Sequence, residues 1–278
     1  MRDRENQLFA FVDHLRGEER SEGTTQKYLR DVRKFLNWLQ QRMLNKNEVS
    51  NWKAQLLSDG YAPETVNSMV VALNRFLSFI DRTDCRVRTL RIQRKLFRRQ
   101  ERELTRSEYE RLVETAKGTG KERLALLLES IAATGIRVSE VQYLTVEAAK
   151  TGRTEISLKG KIRVILLPHK LCRKLLKYAR KQKTVSGQIF LTRNGKSMSR
   201  KQIWAEMKAL CKAAGIAADK VFPHNLRHLF AREFYKICRD VVKLADILGH
   251  SSIETTRIYL LSTGEEHVKQ LSRLRLIS

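Results

Sequence analysis

Apolar residues recur at helical spacing through the first 81 residues and predict a bundle. Leu8, Phe11, Val12 and Leu15 share one face of a first helix. Tyr28, Leu29, Val32, Phe35, Leu36 and Leu39 mark a second helix that starts near Thr24 or Thr25. Val49, Trp52, Leu56 and Leu57 mark a third. Pro63 opens a fourth, with Val66, Met69, Val70, Leu73, Phe76, Leu77 and Ile80 as its buried stripe. The period persists after residue 104. Thr105 and Glu108 form a capping-box pair for a helix through about Lys117, and Leu124–Ala133 is an apolar helix closed by Gly135. A short helix is expected over Arg137–Leu144.

The period then changes. Thr154–Leu158 and Ile162–Leu167 alternate like strands around a Lys159-Gly160 turn and end at Pro168. Helices follow at about 169–183 and 199–214, separated by a small strand over Gln188–Leu191 and an Asn194-Gly195 turn. Another helix begins near Asn225, burying Leu226, Leu229, Phe230, Phe234 and Ile237. Val241–Leu248 is stopped by Gly249, and Ser251 with Glu254 predicts the cap of a short helix that ends near Tyr259. Glu265–Leu276 predicts a tail helix, with Val268, Leu271 and Leu274 on one side. The fold class is therefore mainly α, with a small antiparallel sheet in the second of two domains.

Charge sharpens this division. The 278 residues carry 55 Lys and Arg against 30 Asp and Glu, a net charge of +25. Residues 1–81 are nearly neutral, with 12 basic and 11 acidic side chains, whereas 104–278 hold 34 and 16. Between them, 82–103 carry nine and three and lack a helical face, which predicts a basic linker lying along phosphates. Such an excess repels itself unless a polyanion neutralises it; nucleic acid is the first expectation and a membrane surface the second. No apolar run approaches the roughly 18 residues of a spanning helix. The start, MRDRENQ, lacks the pattern of a signal peptide, so a cytoplasmic, nucleoid-associated location is expected. The four cysteines show no metal-ligand spacing and read as reduced thiols.

His224 and Arg227 are three apart and so share a helix face; His250 follows a glycine, and Tyr259 lies nine residues beyond it. In full, PHNLRHLFA followed by LGHSSIETTRIY closely resembles the signature of the tyrosine recombinases, the phage-integrase and Xer-type enzymes. ATGIRVSEV resembles that family's first-arginine box, with Ile136 where Leu is more common, and LKGKIRVILLP resembles its hairpin-lysine box. Cleaving a phosphodiester without a metal needs a nucleophile, cations on the non-bridging oxygens and two proton transfers. Arg137 and Arg227 suit the clamp because guanidinium forks match phosphate oxygens bidentately. Glu140, three residues after Arg137, can pair with it and orient it.

The resemblance implies the rest. Tyr259 is the nucleophile that forms a 3′-phosphotyrosine. Lys159 protonates the departing 5′ oxygen, with Lys161 as a weaker candidate. His224 moves a proton near Tyr259, and His250 bonds the scissile phosphate. It further implies a helical core-binding, SAM-like domain over 1–81 and a catalytic domain over 104–278 whose C-terminal helix docks on a neighbour or on its own domain. The expected type is compact, Xer-like or mobile-element. The expected partners are a double-stranded DNA site and three further protomers in a tetramer on two duplexes, with room for a second recombinase or accessory protein. No cofactor and no metal are expected, although His224 and His228 are four apart as zinc ligands on a helix can be. His228 itself is expected to pack, and His14, His169 and His267 read as structural. A type IB topoisomerase-like relaxing enzyme and a non-catalytic DNA-binding regulator are the alternatives.

Overall fold

The apolar stripes of the N-terminal stretch fold as α1 (Arg2–Gly17), α2 (Glu22–Leu39), α3 (Lys46–Ser58) and α4 (Pro63–Phe79). The computed structural model describes residues 2–92, 103–158, 161–260 and 272–273, and the chain divides into two units, Met1–Arg94 and Lys95–Ser278. The first unit closes over an aromatic centre. Phe11 meets Phe76 edge to face at 5.3 Å, and Phe35 meets Trp52 at 5.2 Å, the arrangement that ring quadrupoles favour. Leu57 falls outside this core at 39% exposure, because Leu56 takes the inward position of that turn. Helix α2 begins at Glu22, with Ser21 as its N-cap, ahead of the expected Thr24 or Thr25.

The stretch expected to act as a linker from Arg82 starts as part of this first unit. A 3₁₀ turn, Thr83–Cys85, places Cys85 and Val87 in the core. The Asn74 amide donates to the Val87 carbonyl at 2.8 Å and accepts from its N–H at 3.2 Å; Asn67 grips Leu90 the same way at 2.9 and 2.7 Å. Each amide thus satisfies the backbone as a neighbouring strand would. Residues 93–102 lie outside the described residues.

The second unit is organised around α6 (Glu122–Thr134), which packs on α5 (Arg106–Gly118), α8 (His169–Lys181) and α10 (Pro223–Cys238). The Thr105 and Glu108 box caps α5 reciprocally, at 2.8 and 3.2 Å. Arg137–Leu144 is a 3₁₀ helix over Val138–Tyr143. A further helix, α7 (Val146–Thr151), was not expected; Thr145 caps its start and Gly152 ends it. β1 (Arg153–Leu158) and β2 (Lys161–Leu166) pair antiparallel with Ile156 opposite Arg163. Ile156 and Ile165 face inward, while Ile162, Val164 and Leu166 are exposed. Gln188–Leu191 forms no strand; only the bridges Thr145 to Gln188 and Leu191 to Ser197 occur there.

Helix α9 (Arg200–Ala214) precedes α10, α11 (Val241–Leu248) and α12 (Ile253–Leu260). Helix α10 starts at Pro223, two residues before the expected Asn225. Its stripe stops at Phe234: Ile237 is 84% exposed in the final turn. Ser252, not Ser251, caps α12, accepting from the Glu254 N–H at 3.3 Å. Apart from residues 272–273, the expected tail helix lies outside the described residues. Among those described, no helix is long and apolar enough to cross a membrane.

Candidate active site

Two helices end on left-handed glycines, and the two candidate clamp arginines meet those ends. Gly135 closes α6 at φ 63° and Gly249 closes α11 at φ 63°. The turn at Gly249 is a Schellman-type end in which the His250 N–H donates to the Ala245 carbonyl at 3.0 Å. Arg227, on the inner face of α10, donates from Nη1 to the Gly135 carbonyl and from Nη2 to the Leu248 carbonyl at 2.7 Å. Arg137 follows Gly135 by two residues and donates from Nη2 to the Gly249 carbonyl at 3.3 Å. Unpaired carbonyls at helix C-termini carry partial negative charge, so both ends stabilise the guanidinium they face.

Arg227 needs that support, being only 2% exposed. Burial, and then the nearby Arg137 charge, pull its pKa down to about 10, while the Tyr259 hydroxyl favours the charged form. The side chain remains cationic at neutral pH. Arg137 is the open member of the pair, with 41% of its side chain exposed.

Glu140 anchors this cationic group. It accepts from the Arg137 backbone N–H at 2.7 Å and from Arg137 Nη1 at 2.8 Å. From β2, Arg163 donates to the same carboxylate at 3.1 and 2.8 Å and to the Ile247 carbonyl at 2.7 Å. Burial alone would raise the Glu140 pKa; the Arg137 hydrogen bonds and the Arg163 charge hold it below the usual range. The same burial lowers the pKa of Arg163. One carboxylate therefore joins the 3₁₀ helix, the hairpin and the end of α11. An open cleft of about 610 Å³ lies here, lined among others by Arg137, Arg163, Arg200 and His250.

The imidazoles and the phenol pack beneath. His250 Nε2 lies 2.8 Å from Arg227 Nη2, and its Nδ1 lies 2.8 Å from Thr256 Oγ1. Tyr259 is 5% exposed and joins the apolar cluster of Ala231, Leu244 and Leu248. Its ring stacks on His250 at 5.6 Å and 14°, meets His228 edge to face at 4.4 Å, and lies 5.9 Å from His224. Desolvation, followed by neighbouring positive charge, lowers the pKa of His224 and takes that of His250 to about 4. Desolvation and then His224 take His228 to about 3. All three rings are thus neutral at pH 7.

Of the six positions singled out in the sequence, Arg137, His224, Arg227, His250 and Tyr259 come together in space. Lys159 lies outside the described residues, between β1 and β2. His224 and His228 touch edge to face at 4.6 Å, but among the described residues no group of three His, Cys, Asp or Glu could hold a metal. Arg163, Arg200 and Thr256 were not found by sequence reasoning. Arg163 sits in a strand that reads as a basic surface, and only its pairing opposite Ile156 turns it inward.

Gly135 gives a direct stability test. An added Cβ would lie 2.4 Å from Phe230 Cδ1 and 3.0 Å from Leu248 Cδ2, at a backbone angle that side chains avoid. Gly135→Ala is expected to destabilise the second unit by about 2 to 4 kcal/mol, read as a lower urea midpoint. An unchanged midpoint would mean that this helix end can relax without cost.

The profile of the phage integrase family matches residues 102–266, and that of the phage integrase N-terminal SAM-like domain matches residues 8–83. The tyrosine recombinase XerA of Pyrococcus furiosus is 29% identical over 97% of this chain and 94% of its own length. The tyrosine recombinase XerC of Roseiflexus castenholzii is 30% identical over 91% and 88%. Among solved structures, a lambda integrase tetramer bound to a Holliday junction is similar in fold, with a TM-score of 0.73 at 17% identity, covering 92% of this chain and 76% of that one.

Proposed function

We propose, because this chain belongs to the phage integrase family of tyrosine recombinases, that it is a site-specific DNA recombinase with Tyr259 as its nucleophile. The observation that carries this reading is the convergence of the Arg137 and Arg227 guanidinium groups on the Leu248–Gly249 turn, with the Tyr259 hydroxyl interacting with Arg227. A phosphate seated between the two forks has its non-bridging oxygens held as charge develops on them. Tyr259 Oη attacks phosphorus, a bond to the 3′ phosphate forms, and the bond to the 5′ oxygen breaks.

A phenol must give up its proton to react. His224, neutral and close to the Tyr259 ring, takes it; Lys159 supplies a proton to the departing 5′ oxygen. His250 bonds the phosphate beside Arg227, and Glu140 holds Arg137 in place. The phosphotyrosine conserves the energy of the broken bond, so a 5′ hydroxyl from a second duplex can displace it without ATP or a metal. Four protomers on two duplexes supply the paired cuts, with both units of each protomer on the DNA. The substrate is chromosomal or mobile-element DNA in the cytoplasm.

Two differently labelled duplexes that carry the binding site test this reading in EDTA and without nucleotide. Recombinant strands are the expected product. Relaxation of supercoiled DNA with no exchange between duplexes would favour a topoisomerase-type enzyme instead, and binding with neither reaction would favour a regulator.

A further inference from the structure

His250 is held from both sides, and the two contacts together fix where its proton sits. A guanidinium can only donate. Arg227 Nη2 at 2.8 Å therefore requires a lone pair on His250 Nε2. The ring is neutral, since burial and the adjacent arginines keep its pKa at about 4. Its single proton is then on Nδ1, which donates to Thr256 Oγ1 at 2.8 Å. This is the tautomer that the Arg227 and Thr256 contacts select. It is the wrong one for donating to a phosphate, which would need N–H on Nε2.

Thr256 itself is fully buried and lies one turn before Tyr259 on α12, so both face the same side. A hydroxyl has a property that a carboxylate or a carbonyl lacks: it can accept from Nδ1–H or donate to a bare Nδ1. Resting on the recombinase reading above, we propose that Thr256 is a positioning residue for His250. Its hydroxyl holds the Nδ1–H form while Nε2 faces Arg227, and by reversing to donor it supports the Nε2–H form once a phosphate replaces Arg227 as the partner. The ring proton leaves Nδ1 and returns on Nε2 by exchange with solvent, so nothing is gained or lost. Because Thr256 and Tyr259 share α12, this contact also ties the His250 orientation to the seating of the helix that carries the nucleophile.

Two measurements test the assignment, and the first does not depend on catalysis. Nitrogen-15 imidazole spectra of the full chain, with His250 identified by the signal missing in His250→Gln, are expected to give a protonated Nδ1 and a bare Nε2. In Thr256→Val, which keeps the branched shape and removes the hydroxyl, Nδ1–H loses its acceptor, so the Nδ1 signal should shift and its proton should exchange faster with water. A wild-type ring protonated on Nε2, or a Val variant with an unchanged spectrum, would overturn the proposal. Second, in cleavage of a nicked site, Thr256→Val should be slower by about tenfold at unchanged DNA affinity, and Thr256→Ser should stay within about threefold of wild type. A Ser variant as slow as the Val variant would assign Thr256 to packing instead. Should the Val variant fail to fold, the wild-type spectrum and the Ser variant still decide the matter. If the spectra agree but no variant or wild-type chain cleaves DNA, the failure belongs to the recombinase reading and not to the His250 contact.

Discussion

Arg227→Ala is expected to slow single-turnover cleavage of a nicked DNA site by about 10³-fold, and Arg227→Lys by about 10²-fold, while DNA binding persists. The reason lies in how the guanidinium is used. Its Nη1 meets the Gly135 carbonyl, and its Nη2 meets both the Leu248 carbonyl and His250. A single ammonium on a flexible stem cannot span the ends of α6 and α11 in this way. Charge is lost as well as shape. Burial brings Arg227 down to about 10, so it stays positive; a lysine starts from about 10.4, and the same burial would take it towards neutrality. Removing the fork also strands two buried carbonyls, at a cost of about 1 to 3 kcal/mol each, so rates must be compared with the folded fraction measured by denaturation. Cleavage within tenfold of wild type in the Ala variant would remove Arg227 from the phosphate clamp.

The second large effect is on the phenol. Tyr259→Phe should abolish the covalent protein–DNA adduct outright and leave affinity for the site within about twofold. Phenylalanine keeps the stack on His250, the edge contact with His228 and the apolar contacts to Ala231, Leu244 and Leu248. Only the hydroxyl and its interaction with Arg227 go, so the unfolding free energy should change by no more than about 1 kcal/mol. Gel-shift titration beside denaturing electrophoresis separates binding from bond formation. A variant that neither binds nor folds would mean that the hydroxyl holds the site together through Arg227, and the lost adduct would then not isolate the chemical step.

Much of this arrangement was legible before any coordinates, and the exceptions have physical causes. The stripe of α4 and the capping box of α5 are local signals, set by side chains within a few residues, and both formed as the spacing predicts. Gly135 and Gly249 read as helix stops because left-handed caps favour glycine. What they do for the site, turning carbonyls toward two arginines distant in sequence, depends on how α6, α10 and α11 pack. Arg163 was hidden for the same reason: its neighbours Glu140 and Ile247 lie 23 and 84 residues away. Thr256 is one of two adjacent threonines, and only the structure selects it as the neighbour of His250. Ile237 misled because periodicity marks a face without saying how far along the helix that face stays covered. The helix α7 was missed since Ala148 and Ala149 give a weak apolar signal in a segment of only six residues. Residues 83–90 read as linker because their backbone is held by Asn67 and Asn74, contacts that leave no periodic trace.

The central claim is that the oxygen of Tyr259 becomes bonded to DNA phosphorus. The most direct measurement is to trap the adduct on a nicked site, digest both components, and sequence the nucleotide-bearing peptide by mass spectrometry. One modified peptide is expected, with the added phosphate on Tyr259 and a 3′-linked nucleotide. A phosphate on any other residue, or an adduct that still forms in Tyr259→Phe, would contradict it.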